Sequence, residues 1–527
     1  MPVRLIVLAA CAALAFSAPA AWSKTLVFCS EGNPETLSPH MATTTTGMNA
    51  TRPIFNNLVE FTPGTSELVP ALAERWTVSP DGQEYIFHLR RGVRFHTSKT
   101  FQPTREMNAD DVVFSLTRQW KSREPATVSG FVYFGDMGMP DLLQSIDKVD
   151  DHTVRIRLAR PEAPFLADMA MPFAAIYSAE YAAALEKAGT PDLLDTQPIG
   201  TGPFMFAGFT RDVAVRFRAF PGYWRGSQPL DNLVFSITPN ATVRLTKLKA
   251  GECHVMAFPS PDDVAGITAD PSLVLLRQEG LNIGYMAFNT LKPPFDDARV
   301  RRAINMAVDK KAIIESVYGG VGAVAKNPIP PTLWSYDDSV QDYPYDPDGA
   351  RRLLAEAGFP AGFETDLWYM PVSRPYIPDG RRVAEMLEAD LARVGVRLRL
   401  ATDEWSAYRT KLQAGEHTMA LFGWTGDNGD PDNFLQVLLS CLSARPGGSN
   451  VARWCDPSYD ALVTRAKLTA IQAERSALYG QAQKVFKDQA PWVPLAHSVV
   501  LMAARKEVAG FLIDPLGRHI FEGVDLR

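Results

Sequence analysis

Cysteine and histidine are scarce in this chain, with five and eight copies in 527 residues. No Cys-x-x-Cys pair occurs and the histidines are scattered, which excludes the usual zinc frameworks. There is no Gly-x-x-x-x-Gly-Lys phosphate loop, no His-Glu-x-x-His and no Gly-x-Ser-x-Gly, so nothing advertises a nucleotide triphosphatase, a metallopeptidase or a serine hydrolase. Gly320-Val-Gly-Ala-Val-Ala325 has the spacing of a dinucleotide loop. It follows helix-like Ile313–Tyr318 and runs into Asn327-Pro-Ile-Pro-Pro331, where a fingerprint needs a strand before and a helix after. It reads as a loop.

Basic blocks are absent too, and the formal charge is −6, which argues against a nucleic-acid partner. The densest cluster, Arg299, Arg301 and Arg302, reads as a solvated helix face. Asp427, Asp430 and Asp432 lack the spacing and distal Glu of a calcium loop, and Asp432 is expected to cap the helix Asn433–Leu439. No stretch reaches the ~18 uninterrupted apolar residues of a membrane span.

What is present begins at the N-terminus. Met1-Pro-Val-Arg4, apolar Leu5–Phe16 and the small residues of Ser17-Ala-Pro-Ala-Ala-Trp-Ser23 have the layout of a secretory signal peptide covering residues 1–23. The expected product is a soluble exported protein. Leu8-Ala-Ala-Cys11 also resembles a lipoprotein box, leaving anchoring through Cys11 as the alternative. Without Cys11, an exported chain keeps Cys29, Cys253, Cys441 and Cys455, an even set that points to two disulfides in one of three connectivities. A Cys441–Cys455 bridge would contribute ~3 kcal/mol in the chain-entropy model.

The length exceeds what one hydrophobic core supports, so two or more lobes are expected. Lys24–Cys29 reads as an opening strand, Ser79-Pro-Asp-Gly82 as a hairpin turn before Tyr85–Arg90, and Asn108 as a helix cap. Single strands are expected around Val149–Leu158, Asp212–Phe220 and Leu233–Thr238, giving a β-rich subdomain. Leu281–Asn289 reads as a strand leaving this first lobe and Trp492–Leu501 as one returning. The division is residues 24–281 for lobe I, 282–500 for an inserted lobe II, and 501–527 for the return. Two crossings make a natural hinge, and a hinged cleft is a preferred ligand site.

Thr365–Phe434 alternates strand, helix, strand, helix, strand. In an open α/β sheet ligands bind beyond the carboxyl ends of the strands. Arg374 follows the first of these strands and Asp427 the third, and parallel strands would deliver both to one edge. A guanidinium fork matches a carboxylate and a carboxylate suits an ammonium, so the pair suggests a cradle for a short zwitterion. Trp424, Thr425 and Tyr376 adjoin these charges. Thr43–Thr46, with Thr45, are candidates to face the cleft from lobe I.

Four segments complete the picture: Ala73–Gly82, Asn108–Ser115, Pro198–Phe204 and Gly423–Phe434. Their sequences resemble the family 5 extracellular solute-binding proteins, and the likeness runs from Lys24 to the C-terminus. The resemblance implies an α/β, bilobed periplasmic-binding-protein fold of type II, in the large peptide-binding class. It implies disulfides Cys29–Cys253 and Cys441–Cys455, with Asp427 holding a dipeptide's α-ammonium and Arg374 its α-carboxylate. Also implied are a monomer without cofactor, delivering dipeptides to an inner-membrane ABC permease rather than catalysing a reaction. The rivals are the same fold binding a longer peptide or haem, and a periplasmic peptide hydrolase.

Overall fold

A computed structural model of the chain describes residues 23–121 and 130–527. The signal-peptide reading and Cys11 lie outside the described residues. Two sheets organise two lobes. The first has seven strands in the order Leu273–Glu279, Val499–Arg505, Val255–Ala257, Thr25–Ser30, Asn232–Ile237, Ala214–Ala219 and Phe204–Thr210. The second has six: Ala323–Val324, Trp492–His497, Asn282–Phe288, Met419–Thr425, Phe363–Trp368 and Val396–Ala401. A separate four-stranded antiparallel sheet, Ala73–Val78, Glu84–Leu89, Thr153–Leu158 and Leu143–Asp150, sits beside the first.

Alternation of apolar residues explains these strands where one face is wet, as in Glu84–Leu89, whose even positions are half-buried and odd positions buried. Asn282–Phe288 is buried along its whole length, because it is central in its sheet and covered on both faces. Asn108 and Asp111 form a reciprocal cap on the helix Ala109–Trp120. Cys29 joins Cys253, and Cys441 joins Cys455.

Four readings from the sequence are corrected. The run Trp492–Leu501 is two strands, broken at Ser498, with Trp492–His497 in the second sheet and Val499–Arg505 in the first. Around residue 150 the chain makes a hairpin, Leu143–Asp150 with Thr153–Leu158, where one strand was expected. Arg301 is buried rather than solvated, its guanidinium donating to the carbonyls of Phe295, Gln489 and Ala490. Asp432 does not cap its helix: it lies inside the first turn of Asp432–Leu439, and its carboxylate points at Lys467 Nζ, 3.5 Å away.

The break at Ser498 builds the hinge. Leu273–Glu279 pairs with Val499–Arg505, and Asn282–Phe288 pairs with Trp492–His497, so the two crossings run side by side at Gly280–Leu281 and Ser498. Asn282 ties them: its Oδ1 accepts from Ser498 N at 2.9 Å and its Nδ2 donates to Ser498 O at 2.9 Å.

Candidate functional site

Carboxyl ends of strands from both lobes meet in the cleft. The strands Phe363–Trp368 and Met419–Thr425 are parallel neighbours, so the loops that follow leave the same edge. The first carries Arg374 in a tight turn closed by reciprocal backbone bonds with Ile377. The second carries Asp427. From the opposite lobe, Glu31 follows Thr25–Ser30, and Thr45 opens the helix Thr45–Thr51.

Arg374 is 2 % exposed and buried between the lobes. Its Nη1 donates to Glu31 Oε1 at 2.6 Å, its Nη2 donates to Thr46 Oγ1 at 2.8 Å, and the guanidinium lies 5.0 Å over the Trp405 ring. Burial pushes the Glu31 carboxyl up, but Arg374, His519 and the Thr46 hydroxyl outweigh it and hold the group below its ordinary range. Glu31 thus offers Arg374 the same chemical group that a peptide's C-terminus would.

Asp427 has no such cation in contact. Its carboxylate accepts from Tyr133 Oη, and Asn433 Oδ1 fixes its backbone N at 2.9 Å while also accepting from Trp424 Nε1 at 3.0 Å. Burial pushes the carboxyl up to about 7, opposed by the Tyr133 bond and by Arg52. A desolvated carboxyl with no cation in contact has charge complementarity for an ammonium.

All six residues singled out in the sequence, Asp427, Arg374, Trp424, Tyr376, Thr425 and Thr45, line one cavity between the lobes. Its free volume is about 20 Å³, space for about one water. Any solute larger than a water therefore enters only when the lobes separate. Two wall residues were missed, Tyr133 and Arg409, and so was Glu31, which pairs with Arg374 from behind the wall. Arg409 is 6 % exposed, donates to Thr43 Oγ1 at 2.9 Å and stacks over Phe422. Nothing in their local sequence marks them, since each acts across a gap of hundreds of residues or from an ordinary helix.

The model for bacterial extracellular solute-binding proteins, family 5, matches residues 67–445. The chain belongs to that family. A dipeptide-binding protein of Escherichia coli (strain K12) is 52 % identical over 509 residues, 96 % of this chain and 95 % of the relative. Heme-binding protein A of Haemophilus influenzae is 49 % identical over 508 residues, 96 % and 92 % of the two chains. Among solved structures, the dipeptide-binding protein of Pseudoalteromonas sp. SM9913 in complex with Met-Leu superposes with a TM-score of 0.93 at 38 % identity, covering 96 % of this chain and all of that one. This family 5 member thus has the bilobed solute-binding architecture expected from its sequence. No helix among the described residues is long and apolar enough to cross a membrane.

Proposed function

We propose that this chain captures dipeptides in the periplasm for an ABC importer, clamping the α-ammonium on Asp427 and the α-carboxylate on Arg374. The observation that carries the reading is one cavity lined by a buried carboxyl with no cation in contact and by a guanidinium, held by Glu31, at neighbouring strand ends. An extended chain covers ~3.5 Å per residue, so fixing both termini limits the ligand's length. Trp424, Tyr376, Thr425 and Thr45 would wall the peptide, and Arg409 supplies a second cation. Closure at the Gly280–Ser498 hinge would bury the ligand and present a closed surface to the inner-membrane permease. Residues 1–23 act in this reading as the export signal, residues 24–281 and 499–527 as one lobe, and 282–497 as the other, the return falling at Ser498 rather than at 501 as the sequence suggested.

The test is calorimetry on refolded, ligand-stripped protein with a dipeptide, its N-acetylated form and its amide. Tight binding of the free dipeptide alone establishes the two-ended clamp. Binding of all three alike removes it. Haem is the second reading, favoured by the 49 % identical relative named for it, and haem titration is the arm to run if no peptide binds. Intact dipeptide recovered after prolonged incubation separates binding from hydrolysis.

A further inference from the structure

A second cavity, of about 560 Å³, is lined only by residues 39–225 and 518–523, all from the lobe built on the seven-stranded sheet and its flanking layer. That volume falls in the range typical of small-molecule sites, about 300–1,000 Å³. Its occupancy does not depend on closure, because no residue of the other lobe contributes a wall. Most of the lining is apolar, with Phe55, Phe61, Val69, Pro172 and Phe521 among it.

Its polar side chains are mostly spent on backbone carbonyls and on neighbouring side chains. Arg518 donates to Asp514 and to the carbonyls of Phe61, Thr62 and Thr65. Arg225 bridges Glu60 at 2.8 Å and Glu522 at 3.2 Å. Asn57 donates to the carbonyls of Met169 and Met171, and Asn56 bonds Glu60, Thr201 and Trp224. Two lining side chains are exceptions: His519, whose Nδ1 is buried without a partner and which burial keeps neutral, and Arg52, the one that carries charge. Among the described residues it makes no ion pair, and its Nε is sealed from solvent without a partner. Burial, then the charge of Arg518, lowers its guanidinium to about 10, with the carboxylates of Asp514, Glu60 and Asp427 opposing from beyond contact distance. A guanidinium so placed is costly until an anion meets it.

We propose that this cavity is a second ligand site, taking a small amphipathic carboxylate with its head on Arg52 and its hydrocarbon body against Phe55, Phe61, Val69 and Phe521. One guanidinium without a contacting partner matches one negative charge. A phosphate dianion would require more donors and would lie near Glu60 and Glu522, which favours a carboxylate. The apolar walls select a body that a hydrophilic anion such as acetate lacks.

Arg52 also borders a narrow space that reaches Asp427, so a substitution there can disturb the cleft. Val69→Trp fills the second cavity and leaves both charged residues in place. The probe is octanoate, titrated calorimetrically into the whole mature protein with and without saturating dipeptide, with 1-octanol as the uncharged control. We expect one octanoate site per chain, unchanged by dipeptide, and binding at least roughly tenfold weaker for 1-octanol and for Arg52→Gln, the loss of a charge-assisted hydrogen bond. Val69→Trp should lose octanoate by a similar factor while keeping the wild-type melting temperature and dipeptide affinity. Absence of octanoate binding, equal binding by Val69→Trp and wild type, or mole-for-mole displacement by dipeptide overturns the proposal.

Discussion

Asp427 shows how a single buried side chain couples binding to pH. Burial in the closed protein pushes its carboxyl up to about 7, against about 3.9 for the same group in an unfolded chain. The folded state therefore holds a proton that the unfolded chain has released between those values. Stability from this group is undiminished below pH 4 and is lost as pH rises through 7. Asp427→Asn, neutral throughout, should melt at a higher temperature than wild type at pH 8 without ligand, and no higher at pH 4. Dipeptide binding should run the opposite way. Asn cannot meet an ammonium with a full charge, so calorimetry at pH 8 should give an affinity about 100-fold lower, a loss of ~3 kcal/mol, and Arg374→Ala should lose as much from the carboxylate end. Wild-type affinity in either variant would dismantle the clamp.

At the scale of elements, the Arg374 loop is seated by two glycines paired across adjacent strands, Gly284 and Gly423. A Cβ on Gly284 would lie 2.1 Å from the Tyr376 carbonyl oxygen, and one on Gly423 would lie 2.2 Å from Tyr376 Cδ2. Gly284→Ala should push the loop off the sheet and weaken dipeptide binding at least tenfold, by roughly the 1 Å misplacement that costs a positioned group its fit, with far-ultraviolet dichroism unchanged. The loop between Cys441 and Cys455 carries Arg445 and Ser449, which hold Asp136 across the cleft. Opening that disulfide by Cys441→Ser with Cys455→Ser should lower stability by ~3 kcal/mol in denaturant melts. Much of this layer was legible in the sequence. Thr365–Phe434 declared its strands and helices because each has one wet face and a clear period, and turn residues marked where Arg374 and Asp427 emerge. The break at Ser498 was not legible, because residues 492–504 stay apolar on both sides of it and only pairing with two different sheets separates them. Glu31, Tyr133 and Arg409 were missed for a related reason: their partners are set by how the lobes meet, and no local pattern encodes that.

For the whole molecule, closure carries an electrostatic cost concentrated at one place. Glu162 and Asp168, beside the four-stranded sheet, meet Asp432 and Lys467 of the other lobe, with Lys467 Nζ 2.7 Å from Glu162 and Asn428 donating to Asp168 at 2.9 Å. All three carboxylates are essentially inaccessible. Arg160 stands 3.9 Å from Glu162, and Asp430 is already matched by Arg475. Tyr85, Tyr459 and Tyr479 bring no positive charge. One buried lysine thus faces three carboxylates, and they do not all stay ionised. Burial pushes Asp168 well up and Asp432 to about 7, with Lys467 opposing both. Opening the cleft returns these groups to water and their ordinary range, so the closed form binds more protons than the open one between about pH 4 and 7. Closure of the empty protein is accordingly favoured as pH falls through 7 and disfavoured as it rises. Small-angle scattering on ligand-free protein should give a smaller radius of gyration at pH 5.5 than at pH 8.5. In Asp168→Asn with Asp432→Asn the protein should be more compact than wild type at pH 8.5, with a residual dependence from Asp427 and from Asp136, which burial pushes up to about 6 where it meets Arg445 and Ser449. Lys467→Met, which leaves the carboxylates without their cation, should hold the lobes apart at pH 7 and weaken dipeptide binding through the cost of closure rather than through any lost ligand contact. An identical radius for wild type at the two pH values would mean that the lobes meet without these groups becoming dry.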